Sequence, residues 1–323
     1  MRGKFLEPHF VFNFRTGEEK RILIKIRTES ATVFSPAFFT DSELFWEVQS
    51  EGAWISTYLG LLAAMILYNL FIFFSTRDFS YLIYTVYVGF MWVFQACNFG
   101  VMGLYLLPEF PGLVNAMYPL SAGLLILTSL HFTYLFHNIG SRFPLLKRVY
   151  FIFMAAAAVN IPLAFLFSNR LNNALSLLLS ACIFGTAIYS YIRGYRPARY
   201  FLIAWTGFVG LTVIWSLAVR GTFESYLSFR YAFSVGSALE VVLFSLALGD
   251  RIRLLSEDKE KALTDQVTLK TRLLDSFARF VPREFLRTLG KESPEDVGIG
   301  DSTARELTIL FLISGDLRLF RKR

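Results

Sequence analysis

One carboxylic acid, Glu240, stands inside the apolar run GSALEVVLF, and one amide, Asn69, stands inside LLAAMILYNLFIFFS. An ionisable side chain in such a setting is expensive to bury, and it is kept where it holds a neighbour or carries a function. Glu240 has two readings: a hydrogen bond in the interior of a helical bundle, made in the protonated state, or a signalling or proton-linked role. Asn69 reads first as a helix-to-helix hydrogen bond and second as a ligand contact. No basic residue stands in another apolar run to pair with Glu240, and one acid does not make a transport pathway. The three histidines form no metal-ligand pattern: His9 lies in the leading segment, and His131 and His137 lie near one end of the third apolar run. Cys97 and Cys182 lie within or at the edge of apolar runs, where a thiol behaves as a small apolar residue.

The elements that must position these groups are seven long apolar runs, at 54–75, 80–101, 114–136, 148–168, 172–192, 200–219 and 231–249. At a rise of 1.5 Å per residue each is long enough to cross the ~30 Å hydrocarbon layer. A soluble helical bundle would need polar faces at helical period, and WISTYLGLLAAMILYNLFIFFS and LNNALSLLLSACIFGTAIYSYI lack them. The expected fold is therefore an all-α polytopic membrane protein with a seven-helix bundle over residues 54–249, whose main partner is the lipid bilayer.

Charge in the short loops sets the expected orientation. With the N-terminus outside, the inner loops carry Arg77, Arg142, Lys147, Arg148, Arg193, Arg196 and Arg199. The outer loops then carry only Arg170, Arg220 and Arg230. The N-terminus is thus expected outside and the C-terminus in the cytoplasm, in a multi-pass protein of the plasma (inner) membrane. The net charge of +7 accumulates mainly over the membrane region, so the basic balance reflects topology rather than a nucleic-acid surface. Residues 1–53 read differently. HFVFNF and RILIKIRT alternate at strand period around FRTGEEKR, and ATVFSPAFF is a further edge segment broken by Pro36. They suggest a remnant of an outer, β-rich sensor domain, too small to bury a core alone. MRGKFLEPHF has no apolar stretch of signal-peptide length, which leaves export to the first span.

The strand-rich lead-in followed by YLGLLAAMILYNLFIFFSTRDFSYLIYTVYV, with Tyr68, Asn69, Leu70, Arg77, Asp78, Ser80 and Tyr81, resembles the bacterial seven-transmembrane receptors with diverse intracellular signalling modules. The resemblance covers about residues 20–250. It implies a sensor in which an outer β-domain perceives a ligand, here unidentified, and the helices carry the signal to a cytoplasmic output module.

After Asp250 the composition changes to RIRLLSEDKEKALTDQVTLKTRLLDSFARF. Ile252, Leu255, Ala262, Leu269 and Leu273 fit a heptad seam, interrupted by Lys259 and Gln266. Residues 250–279 are expected to form a cytoplasmic coiled-coil helix that continues the seventh span and joins two copies as a parallel homodimer. A single solvated helix is the alternative.

Beyond it, FVPREFLRTLGKESPEDVGIGDSTARELTILF over residues 280–311 resembles the start of a class III adenylate or guanylate cyclase domain: the FVPREFL helix, Gly290, Lys291, the Gly300 and Asp301 turn, and Arg305 and Glu306 leading into LTILF. The resemblance implies an α/β domain with two divalent metals, Mg or Mn, held by two carboxylates. The first carboxylate belongs to a segment reading SDIRGFT. By position it falls on Ile313, which has no oxygen to offer a hard cation, and Asp316 is out of register. The codons CTG ATA TCC GGG GAT TTA CG spell Leu312 to Arg318. Taken one base earlier with a preceding T, they spell SDIRGFT. Residues 312–323 are therefore expected to be a frameshifted tail, and LTILFLI an apolar strand without its sheet partners.

The chain as given is accordingly expected to be a membrane sensor without cyclase activity, with no catalytic, cofactor or metal residues. The alternative is a receptor-linked cyclase that makes cyclic nucleotide from ATP or GTP, the shift being an error. A transporter or channel is disfavoured by the lack of charge pairs within the spans and of a repeat between helices. Sequencing the DNA across codons 305–323 and several hundred bases beyond is expected to reveal a cyclase domain continuing in the neighbouring frame. A neighbouring frame with no such continuation would defeat the cyclase resemblance.

Overall fold

The computed structural model describes residues 39–166, 168–219, 231–280 and 283–292, with isolated residues 17, 19, 21, 23 and 229. The helices are α1 (Asp41–Thr76), α2 (Phe79–Asn98), α3 (Pro111–Phe136), α4 (Ile139–Arg142), α5 (Pro144–Leu166), α6 (Ser168–Ile192), α7 (Ala198–Val219), α8 (Ala232–Phe280) and α9 (Arg283–Thr288). A π turn, Met102–Leu106, leads from α2 toward α3. No strand occurs among the described residues.

Six helices, α1, α2, α3, α5, α7 and α8, are long and apolar enough to cross a membrane. The seventh, α6, spans 25 residues, and its described side chains form the apolar stretch Leu178–Ile192. These seven helices coincide with the seven apolar runs. The chain divides into two units, Met1–Arg253 and Leu254–Arg323.

α1 begins earlier than the apolar pattern indicated. Thr40 closes a capping box with Glu43: its hydroxyl oxygen accepts from the Glu43 N–H, and the Glu43 carboxylate accepts from the Thr40 N–H at 2.8 Å. Residues 41–53, assigned from the sequence to the β-rich segment, are therefore helical, because the cap starts the helix well before its apolar part. Of the segments expected as strands, HFVFNF lies outside the described residues, and so do RILIKIRT and ATVFSPAFF except for Arg21, Leu23 and Phe39, none of which is in a strand; 293–323, which includes LTILF and the tail, lies outside them as well.

α1 ends and α2 starts within two residues. Arg77 adopts a left-handed conformation (φ 57°), and its N–H closes back on the Phe73 carbonyl. Asp78 then caps α2 by accepting from the Ser80 N–H at 2.8 Å. The stretch TRDFS is thus a tight helix–helix corner.

Within the first unit the core is aromatic. Phe201 of α7 stacks on Phe244 of α8 at 4.6 Å, and Phe132 of α3 meets Phe244 at 5.3 Å and Tyr84 of α2 at 5.2 Å. All four rings are buried. Large apolar side chains such as Phe71 (72% exposed) and Ile152 (65%) point outward, as expected of a surface facing lipid. Association of helices in lipid relies on close packing, and two glycines provide it. A Cβ at Gly236 of α8 would lie 3.1 Å from the Leu211 Cβ and 3.4 Å from the Phe208 backbone of α7. A Cβ at Gly123 of α3 would lie 2.8 Å from Ile161 Cγ1 of α5.

In the second unit, Leu255, Leu263, Val267, Leu269 and Leu273 are exposed along the distal part of α8. Leu263 and Val267 lie beside the heptad seam read from the sequence rather than on it. After α9 the chain turns at Gly290 (φ 71°), whose N–H donates to the Arg287 carbonyl, and Leu286 is buried.

Gly236→Ala is expected to lower the thermal unfolding midpoint in detergent, through overpacking worth about 1–3 kcal/mol. Gly60→Ala, whose Cβ meets nothing within 4 Å, is expected to leave it unchanged or raise it. Equal effects from the two would refute a close α7–α8 crossing at Gly236.

Candidate functional site

α8 presents a stripe of polar groups, Ser234, Ser237, Glu240 and Ser245, to α1 and α2, and all four are buried. Ser234, Ser237 and Glu240 follow one another at three-residue spacing, and Ser245, about three turns on from Ser234, returns to the same side as Ser234. At one end, the Tyr58 hydroxyl of α1 lies 2.7 Å from Ser237 Oγ. Gln95 Nε2 of α2 donates to both Tyr58 OH and Ser234 Oγ, at 3.2 Å each. Three helices therefore meet in one small hydrogen-bonded network.

Glu240 sits one turn further along. Its Oε1 accepts from the Tyr87 hydroxyl of α2 at 2.9 Å, while its Oε2 is buried without a hydrogen-bond partner. The Tyr84 hydroxyl of α2 donates to the neighbouring Val241 carbonyl. Tyr81, Tyr84 and Tyr87, spaced by three, turn toward the interior of the bundle, and all three are buried. The partner of the lone acid is thus a phenol rather than a base. Asn69 of α1 is fully buried: its Oδ1 accepts from Ser245 Oγ at 3.0 Å, and its Nδ2 donates to the Met65 carbonyl of its own helix at 2.8 Å.

At the far end of this stripe the groups become charged. Arg251 Nη1 donates to Asp78 Oδ2 at 3.2 Å and to Ser80 Oγ at 2.6 Å. Arg199, near the start of α7, approaches Asp250 at 3.9 Å. His137, which caps α3, is fully buried against Phe201, and its imidazole is pushed down to about 3 by that burial and secondarily by the Arg251 and Arg142 charges. It is therefore neutral at physiological pH, and both its nitrogens lack hydrogen-bond partners.

Of the residues singled out from sequence, Glu240 and Asn69 both lie on the face between α8 and its neighbours, but they bond different partners. His131 and His137 come no closer to a metal site: no group of three or more His, Cys, Asp or Glu assembles among the described residues. The two thiols are free. The metal pair implied by the cyclase resemblance would require residues outside the described ones. In the register of that resemblance Ile313 would take the first ligand position, and an isoleucine side chain has no oxygen to offer a divalent cation. Sequence reasoning missed Tyr58, Tyr87, Gln95 and Arg251. The triplet spacing of tyrosines in YLIYTVY was the available signal for Tyr87, whereas Arg251 was hidden in a charged stretch.

A family model described as 7TM diverse intracellular signalling matches residues 51–251, well over half of the chain. No curated protein and no solved structure matches it.

Tyr87→Phe removes the one hydrogen bond to a buried carboxyl and is expected to cost about 1–2 kcal/mol. Glu240→Gln, which keeps an acceptor for Tyr87, is expected to cost less. Unfolding midpoints in detergent check both, and a Tyr87→Phe protein as stable as its parent would remove this bond from the account of how α8 is held.

Proposed function

The chain belongs to the family of seven-transmembrane proteins with diverse intracellular signalling, and from that membership we propose that it is a membrane sensor whose signal leaves the bundle through α8. The observation that carries this reading is the form of α8. The helix that makes the buried polar contacts with α1 and α2 continues without a break to Phe280. A change in those contacts is thereby coupled along one continuous helix to the residues that follow Arg253. Glu240 and Asn69 are the intramembrane groups through which the coupling runs, and no catalytic role is assigned to either.

The N-terminus lies outside and the C-terminus in the cytoplasm, supported by the excess of Arg and Lys on alternate loops. Two copies pair through residues 250–279, whose exposed Leu255, Leu263, Val267, Leu269 and Leu273 offer an apolar strip that a partner helix covers. The ligand enters from the outer side and is of unknown chemistry.

The output module of this reading is of the class III cyclase type. α9 and the left-handed Gly290 fall where FVPREFLRTLGK resembles the start of that domain. With Ile313 at the metal position the chain as given is not an enzyme. The second reading, a receptor-linked cyclase making cyclic nucleotide from ATP or GTP, rests on the same residues and requires the neighbouring reading frame.

Fusing a complete class III cyclase domain after residue 279 turns the proposal into an assay in a cyclase-deficient bacterium. One residue inserted after Lys259 rotates everything beyond it by about 100°. It is expected to change cyclic AMP at least fivefold, and a seven-residue insertion is expected to bring the level back. Output indifferent to the phase of the insertion would defeat signal conduction through α8.

A further inference from the structure

Where α8 leaves the bundle it carries two adjacent opposite charges, Asp250 and Arg251. Adjacent residues on a helix point about 100° apart. They face different neighbours here: Arg251 faces the α1–α2 corner, and Asp250 faces the start of α7.

The two contacts are unequally made. The Arg251 guanidinium fits the Asp78-x-Ser80 turn closely. One nitrogen reaches both Asp78 Oδ2, at 3.2 Å, and Ser80 Oγ, at 2.6 Å. The other carboxylate oxygen of Asp78 is used to cap α2. The side chains are largely shielded, with Arg251 at 13% exposure and Asp78 at 25%. On the other flank, Asp250 Oδ2 is buried without a hydrogen bond, although Arg199 Nη2 stands 3.9 Å away. That nitrogen donates instead to the hydroxyl of its neighbour Tyr200 at 2.9 Å, with the guanidinium over the Tyr200 ring. A buried carboxylate oxygen is thus left unmet beside a cation engaged elsewhere, which favours a second arrangement.

We infer that Asp250 and Arg251 form a two-position latch at the foot of α8. In one position Arg251 holds Asp78 and Ser80, and in the other Asp250 closes on Arg199. The Arg251 contacts are already at bonding distance, so a turn or slide of α8 that brings Asp250 onto Arg199 lengthens them. The buried part of α8 is held by hydroxyl, amide and carboxyl contacts and sits among packed aromatics, so the foot, where guanidinium meets carboxylate, is the place where a small movement exchanges one set of bonds for another.

This inference rests on the sensor reading and deepens it, and its test needs neither ligand nor output. Nitroxides are placed at Gly249→Cys, where a side chain meets nothing within 4 Å, and at the exposed Ser141→Cys of α4. The full chain is used in lipid nanodiscs, with Cys97 and Cys182 replaced by alanine, and distances are measured by pulsed electron paramagnetic resonance. Two distances are expected, with the larger population representing the Arg251-engaged position. Arg251→Ala and Asp78→Asn, the latter keeping the capping oxygen, are expected to raise the minor population at least threefold. Arg199→Ala is expected to lower it by a similar factor, and Arg251→Lys to resemble the parent. If Arg251→Ala does not fold, Asp78→Asn and Arg251→Lys decide the matter in its place. One distance unmoved by every variant overturns the latch, and so does a shift in the same direction from Arg199→Ala and Asp78→Asn, which a purely structural role would give. A latch that moves while the fused cyclase ignores the phase of α8 would instead sink the sensor reading and leave the latch standing.

Discussion

The hydrogen bond from the Tyr87 hydroxyl to Glu240 is the interaction around which the bundle is arranged. Hydrocarbon supplies no hydrogen bonds, so a carboxyl at that depth must find its partner within the protein. The partner lies on α2, and this fixes which face of α8 turns inward. Once that face is set, Ser237 meets Tyr58, Ser245 meets Asn69 and the Val241 carbonyl meets Tyr84 without further adjustment. The polar contacts are individually weak, but each constrains the rotation of the same helix.

Packing and polarity divide the work along α8. Beside the polar stripe, Phe244 anchors the helix in a ring cluster drawn from α2, α3 and α7, and Gly236 lets α7 come close. Toward the end of the bundle the contacts change from hydroxyl and amide to guanidinium and carboxylate. Charged groups are tolerable there because the side chains of Arg199 and, to a smaller degree, Asp250 and Asp78 reach solvent. The chemistry of each position thus follows its depth.

Much of the fold was legible in the sequence, because a span announces itself by length and apolarity alone, and each of the seven runs coincides with a long helix. The start of α1 was less legible: a capping box is a two-residue signal, and Thr40 with Glu43 was masked by the strand-like residues before it. Glu240 and Asn69 stood out because polar groups are rare in apolar runs. Their partners did not, since a tyrosine, serine or glutamine in a span is compatible with either face, and only the rotation of three helices together decides which it takes. Arg251 was illegible for the opposite reason. It stands among many charges, and nothing local distinguishes the one that reaches back to a corner some 170 residues earlier in the chain.

The length of α1 has a mechanical consequence. Thirty-six residues make a rod of about 54 Å, well beyond the ~30 Å that hydrocarbon requires. The helix contains no proline, and Phe45 and Trp46 stand exposed near its beginning. The helix runs unbroken from Asp41 to Thr76. A twist at Asp41 would be carried along that rod to Tyr58 and Asn69, where α1 is hydrogen-bonded to Ser237 and Ser245 of α8, much as a crankshaft carries a turn from one end to the other.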